Sequence, residues 1–120
     1  PDLPEKYRAC GQPVLVPGSM GTASYVLVGT GKAAGETFAS VCHGAGRVMS
    51  RSQALRQVSG SALLRELSGG GIEVRTASVK GLAEEAPQAY KDVSKVVDVC
   101  VNAGMAAKVA KMKPLGVVKG

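Results

Sequence analysis

The sequence predicts one mixed α+β unit, a mixed sheet of short strands with a few helices, built around an aliphatic core. Three observations carry this. Short β-branched runs bounded by glycine or proline recur along the chain. One segment, 93–101, sets apolar side chains at helical spacing. The hydrophobic content is 45% while the aromatic content is 3%, with no Trp, so Val, Ala, Leu, Ile and Met must fill the interior. At 120 residues the chain has the length of one domain and can bury roughly two thirds of its unfolded surface. This composition argues against a disordered tail and against a module that stacks bases on several aromatic rings.

Taken in order, residues 1–11 form a polar lead-in without clear periodicity. Val14, Leu15 and Val16 make a strand closed by the breaker pair Pro17-Gly18, and Gly18-Ser19-Met20-Gly21 is the loop that follows. Residues 24–28 do not alternate, so they are expected to form a strand buried on both faces, ended by Gly29-Thr30-Gly31. Periodicity leaves 32–42 undecided. Two glycines in His43-Gly44-Ala45-Gly46 favour a loop. Ser50 has the chemistry of an N-cap for a helix over 51–58, and 62–67 is helical until Gly69-Gly70-Gly71 stops it. Residues 72–76 alternate as a half-exposed strand does. Asp92 caps a helix in which Val93, Val96, Val97, Cys100 and Val101 share one face, and Asn102-Ala103-Gly104 terminates it. Residues 109–118 form a last extended segment broken by Pro114.

Fifteen Lys and Arg against nine Asp and Glu give a net charge of +6, which suits an anionic partner and equally suits simple solubility. Three cysteines, Cys10, Cys42 and Cys100, form no C-x-x-C pair; a reducing cytoplasmic setting is expected rather than a disulfide framework. The longest apolar run, around 24–28, is strand-sized, so no membrane span is expected. Pro1-Asp2-Leu3-Pro4 lacks an initiator Met, a basic region and an apolar region, and reads as the start of a piece of something longer.

Gly29-Thr30-Gly31-Lys32-Ala33-Ala34-Gly35 follows a strand and imitates a phosphate-binding loop. A P-loop would need Ser or Thr after its Lys, and a dinucleotide site an acidic residue about 20 positions on, so a turn with a solvated Lys32 is expected. The sole histidine, His43, has neither the neighbours for a metal site nor those for a triad. What surrounds it is backbone: Gly44 and Gly46 can turn N–H groups toward an anion, and Arg47 can add a charge-assisted bond. An imidazole beside phosphate-binding amides points to nucleophilic attack on phosphorus, with a loop histidine of no chemistry as the plain reading. Pro17-Gly18-Ser19-Met20-Gly21-Thr22 is a second glycine loop. Alone it reads as a β-turn; two such loops, one carrying the sole His, favour a phosphate pocket.

Val16-Pro17-Gly18-Ser19-Met20-Gly21-Thr22-Ala23-Ser24-Tyr25 and Cys42-His43-Gly44-Ala45-Gly46-Arg47, with Ser50-Arg51, resemble the C-terminal part of the RtcB RNA ligase family. Glu85-Ala86-Pro87-Gln88-Ala89-Tyr90-Lys91 and Lys113-Pro114-Leu115-Gly116-Val117-Val118-Lys119-Gly120 match its late segments in order. The resemblance implies that residues 1–120 are a C-terminal segment of the larger RtcB-type fold, carrying the nucleophile and GMP-binding half without the metal-binding half.

It further implies a GTP- and Mn²⁺-dependent ligase that joins RNA 3′-phosphate or 2′,3′-cyclic phosphate ends to 5′-hydroxyl ends in tRNA splicing and RNA repair. His43 would carry GMP covalently. Pro17, Gly18, Ser19, Met20, Ser24, His43, Gly44, Ala45, Gly46, Tyr90 and Lys119 would line the nucleotide site. Arg47, Arg51 and Arg56 are the candidates for RNA, and an archease-type activating protein is a further partner the family admits. The family's metal ligands lie upstream, so the Mn²⁺ ligands are expected outside this chain and the 120 residues alone are expected to be inactive. The alternative is a non-catalytic nucleotide- or RNA-binding module derived from the same fold.

Overall fold

Residues 3–120 are described by the structure, a computed structural model of the chain. In chain order the elements are α1 (Glu5–Arg8), β1 (Pro13–Pro17), β2 (Ser24–Gly29), α2 (Gly31–Glu36), α3 (Arg51–Gln57), α4 (Gly60–Gly69), β3 (Glu73–Thr76), α5 (Val79–Leu82), α6 (Val93–Asn102), β4 (Ala106–Met112) and β5 (Gly116–Lys119). Two 3₁₀ turns, Ala83–Glu85 and Pro87–Ala89, link α5 to α6. The α+β class is as expected. Pro1 and Asp2, part of the predicted lead-in, lie outside the described residues.

The strands divide into two small sheets. In the first, β2 is central, antiparallel to β1 on one side and to β4 on the other. Its register places Pro17, Ser24 and Met112 side by side at one end, the end from which the first glycine loop emerges. In the second, β3 and β5 pair in parallel. Pro114 is where the last extended stretch changes sheets: it has no N–H to give a ladder, so β4 stops and the chain crosses to β3.

Each sheet has its own core. Val93 and Val97 of α6 pack on Val16, Tyr25, Leu27 and Ala106 of the first sheet. Leu63, Leu67, Leu82 and Ala86 form the second core, flanked by Val58, Ile72 and Val74. Leu27, Leu82, Val16, Val93 and Val97 are the largest fully buried side chains, each contributing about 1.5–3 kcal/mol of transfer free energy.

Helix starts follow hydroxyl and carboxylate caps. Ser50 Oγ accepts from the Gln53 amide at 3.1 Å, Ser59 Oγ from Ala62 at 3.3 Å, and Asp92 Oδ1 from Ser94 at 2.8 Å. The same chemistry corrects one expectation. The stretch beginning at Gly31 is a helix and not an open turn, because Thr30 Oγ1 accepts from the Ala33 amide at 3.3 Å. Lys32 is anchored there, its ammonium donating to the Ala103 carbonyl at 2.9 Å. A second correction concerns β2: Tyr25 and Leu27 are buried, but Val26 and Val28 are only half-buried, so one face of the strand is closed and the other partly open. Among the described residues no helix is long and apolar enough to cross a membrane.

Candidate functional site

The first glycine loop is shaped by a contact only glycine allows. A Cβ at Gly18 would sit 2.1 Å from the Ala23 carbonyl oxygen and 2.9 Å from Val93 Cγ1. With the backbone so close, the turn is tied internally: the Ser19 amide donates to Thr22 Oγ1 at 3.1 Å and the two hydroxyls stand 2.9 Å apart. Met20 reaches back to the second core. Ser24, which opens β2, is half-buried between Pro17 and Met112.

The second glycine loop lies against the first. Ala45 is buried, and its amide donates to the Pro17 carbonyl at 3.0 Å. That bond engages the Ala45 amide inside the protein. Gly46 has a φ of +73°, a left-handed conformation that turns the chain toward Tyr90. Its carbonyl accepts from the Lys91 amide at 2.9 Å, and Arg47 and Tyr90 form a backbone bridge. His43, two residues ahead of the first of these fixed points, is exposed to solvent.

A largely apolar cavity of about 760 Å³ opens beside His43, lined also by Val14, Thr30, Ala33, Val41 and Cys42. Of the residues expected to hold a nucleotide, His43 alone lines it. Burial, together with the neighbouring Cys100 thiol, pushes the Cys42 thiol up to about 11.

On the far side of the second loop, four of the predicted residues converge on one carboxylate. Glu85 Oε1 lies 3.4 Å from Arg51 Nε and 3.5 Å from Lys119 Nζ, and Oε2 lies 3.3 Å from Arg47 Nη1. The Tyr90 hydroxyl donates to Oε2 and accepts from Arg47 Nη1 at 2.9 Å. The Arg47 guanidinium also stands over the Tyr90 ring at 4.8 Å. Burial would raise the Glu85 carboxyl, but the Tyr90 hydroxyl, Lys119, Arg47 and Arg51 outweigh it and hold it below the ordinary carboxylate range. Tyr90 is pushed above the ordinary phenol range by burial first, then by Glu85.

Arg47 therefore sits in a different setting from an open cation. Its Nε donates to the Met49 carbonyl at 3.0 Å and its Nη2 to the Glu84 carbonyl at 2.6 Å, so all three nitrogens are engaged inside the protein. Arg51 is 69% exposed at its side chain. Arg56 is exposed on α3, away from this group, with no ion pair among the described residues. Sequence reasoning used Glu85 only as part of a motif; an acidic pair beside a motif tyrosine, in a chain with excess base, was the available signal. Among the described residues no three His, Cys, Asp or Glu side chains gather as a metal site.

The comparisons agree with one another. The family model described as tRNA-splicing ligase RtcB matches residues 1–120. A tRNA-splicing ligase RtcB from Pyrococcus abyssi is 59% identical over 118 residues, covering 98% of this chain and 13% of that relative. One from Thermococcus kodakarensis is 58% identical over 120 residues, covering 100% of this chain and 25% of the relative. An RNA-splicing ligase RtcB from Mycobacterium bovis is 55% identical, covering 99% of this chain and 27% of its own length. The chain thus spans between about an eighth and about a quarter of the length of these relatives.

Proposed function

The chain belongs to the tRNA-splicing ligase RtcB family, and on that premise we propose that it is the nucleotidyl-accepting part of a GTP-dependent RNA ligase, with His43 as the nucleophile. The observation that carries the reading is the pairing of the two glycine loops. The Ala45–Pro17 bond at 3.0 Å ties the second loop to the end of β1, where the first loop begins, and His43, two residues before Ala45, is exposed instead of sealed in a core.

Chemically, a neutral imidazole nitrogen of His43 attacks the α-phosphorus of GTP. An N–P bond forms, the bond from phosphorus to the bridging oxygen breaks, and pyrophosphate leaves with that electron pair. The phosphoramidate is a high-energy link, so GMP passes on to an RNA 3′-phosphate, and a 5′-hydroxyl then displaces GMP from the activated end. Pro17, Gly18, Ser19, Met20, Ser24, Gly44, Ala45 and Gly46 surround the nucleotide with backbone and small side chains. Tyr90 adds a ring and hydroxyl, and Lys119 a positive tip. Gly44 and Gly46 keep amides that no group among the described residues accepts from, and these suit a phosphate.

Mn²⁺ would neutralise charge on the phosphates. The residues present do not fit it, since no ligand cluster exists among those described, and its ligands belong to the rest of the protein. Arg51 and Arg56 are exposed, which suits contact with an RNA backbone, whereas Arg47 acts by holding the loop beyond His43. The setting is the cytoplasm, and an archease-type activator is a partner of the whole protein.

In the whole protein, His43→Ala should remove the radiolabelled enzyme–GMP adduct that survives denaturing electrophoresis after incubation with labelled GTP and Mn²⁺. An adduct of unchanged intensity in that variant overturns the assignment.

A further inference from the structure

Glu85 gathers four side chains: two from the 47–51 stretch, one five residues along its own stretch, and one from the last strand. Arg47 lies four residues beyond His43, Arg51 starts α3, Tyr90 follows the second 3₁₀ turn, and Lys119 ends β5. Its own backbone is fixed: the Ala86 amide closes the first 3₁₀ turn on Ala83 at 3.2 Å, and Ala86 is fully buried. The Glu85 side chain is only 20% exposed, so its pairs are more shielded from solvent than ordinary surface ones.

We infer that Glu85 is a positioning residue, whose carboxylate fixes the Lys119 ammonium and the Tyr90 hydroxyl for the nucleotide and ties both to the end of the His43 loop through Arg47. The inference rests on the reading of His43, Tyr90 and Lys119 given above. A lysine ammonium on a four-carbon stem samples many rotamers, and a phenol proton can turn either way. Here both are committed before a ligand arrives. Tyr90 gives its proton to Oε2 and so offers a ligand only the ring face and the oxygen lone pair that Arg47 leaves open, while Lys119 keeps donors to spare beyond its contact with Oε1. Part of the ordering cost of binding is thereby met within the folded protein.

Replacing one carboxylate oxygen by an amide nitrogen sets a donor against a donor at one end of this arrangement. In the whole protein, Glu85→Gln should raise the GTP concentration for half-maximal adduct formation about tenfold and leave the maximal labelling rate within about threefold. Glu85→Asp, which keeps the charge, should recover much of the affinity. A readout independent of GTP is the alkaline titration of tyrosinate absorbance, its Tyr90 component identified by Tyr90→Phe. Loss of the Glu85 charge should move that component to lower pH. A Glu85→Gln protein in which the Tyr90 titration moves while GTP half-saturation stays at the parent value overturns the proposal. A parent protein that forms no adduct, or whose adduct survives His43→Ala, overturns the reading on which the proposal depends, and the two failures are read from different measurements.

Discussion

Two nucleophilic side chains sit next to each other in the sequence, and the fold treats them oppositely. His43 is open to solvent, while Cys42 packs against the first core with its thiol pushed up to about 11. The thiolate is the reactive form, so near pH 8 only on the order of one Cys42 in a thousand is ionised, rising tenfold per pH unit until the thiol titrates. Cys10 is exposed. Iodoacetamide at pH 8 should therefore label Cys10 well before Cys42, and the Cys42 rate should climb steeply above pH 9. Peptide mass spectrometry of timed samples checks this. At this scale the sequence was legible where structure is local: a loop carrying the sole histidine just before Gly44 and Gly46 was readable from spacing, and His43 is exposed on it. The partners of Arg47, Tyr90 and Lys119 were not. Glu85 meets Lys119 across 34 positions, and no periodicity or short motif encodes such a pair.

Among the elements, the clearest in sequence were those with a cap and a one-sided apolar stripe. Asp92 and the valines of α6 form a helix whose Val93 and Val97 are buried, as their spacing requires. The strand before the first glycine loop was equally plain from Val14, Leu15, Val16 and Pro17. Helix α2 was hidden because Gly31 and Gly35 are poor helix formers; the Thr30 cap and the Lys32 bond to Ala103 override that preference. The openness of β2 on one side was hidden too, since a run of apolar residues looks alike whether one face or both are covered. The loop joining β1 to β2 yields a stringent test. Gly18→Ala must displace the Ala23 carbonyl or the Val93 side chain, so it should cost about 2 kcal/mol or more of stability, and the two glycine loops should lose their register. Thermal unfolding measures the first effect and loss of GMP labelling the second.

As a whole the molecule extends 48 × 26 × 21 Å, with a radius of gyration of 16.6 Å against roughly 13.6 Å for a compact chain of this length. The interior is divided into two small cores rather than gathered in one large one, as suits an extended shape. Much apolar surface is left outside: Phe38 is 96% exposed, Val118 87% and Leu115 84%. Burial of this kind depends on neighbours that a single short sequence does not contain, which is why the cores were foreseen in composition but not in number. Surface so apolar invites association. The 120 residues prepared alone should bind a hydrophobic dye, shift to larger species in sizing chromatography as concentration rises, and take no label from GTP. A monomeric, dye-free preparation that becomes labelled would contradict this expectation.

The crossing of the chain from β4 to β5 has a consequence for how the protein comes into being. A ribosome delivers Arg47, Glu85 and Tyr90 before it delivers Lys119, the last cation to reach the carboxylate. At about 5–20 residues per second the wait from Glu85 to Lys119 is roughly two to seven seconds. During that interval β3 has no parallel neighbour and the carboxylate lacks its third counter-charge. Assembly of this cluster thus waits on β5, and a nascent chain stalled between the two sheets would display the His43 loop beside a carboxylate still short of Lys119.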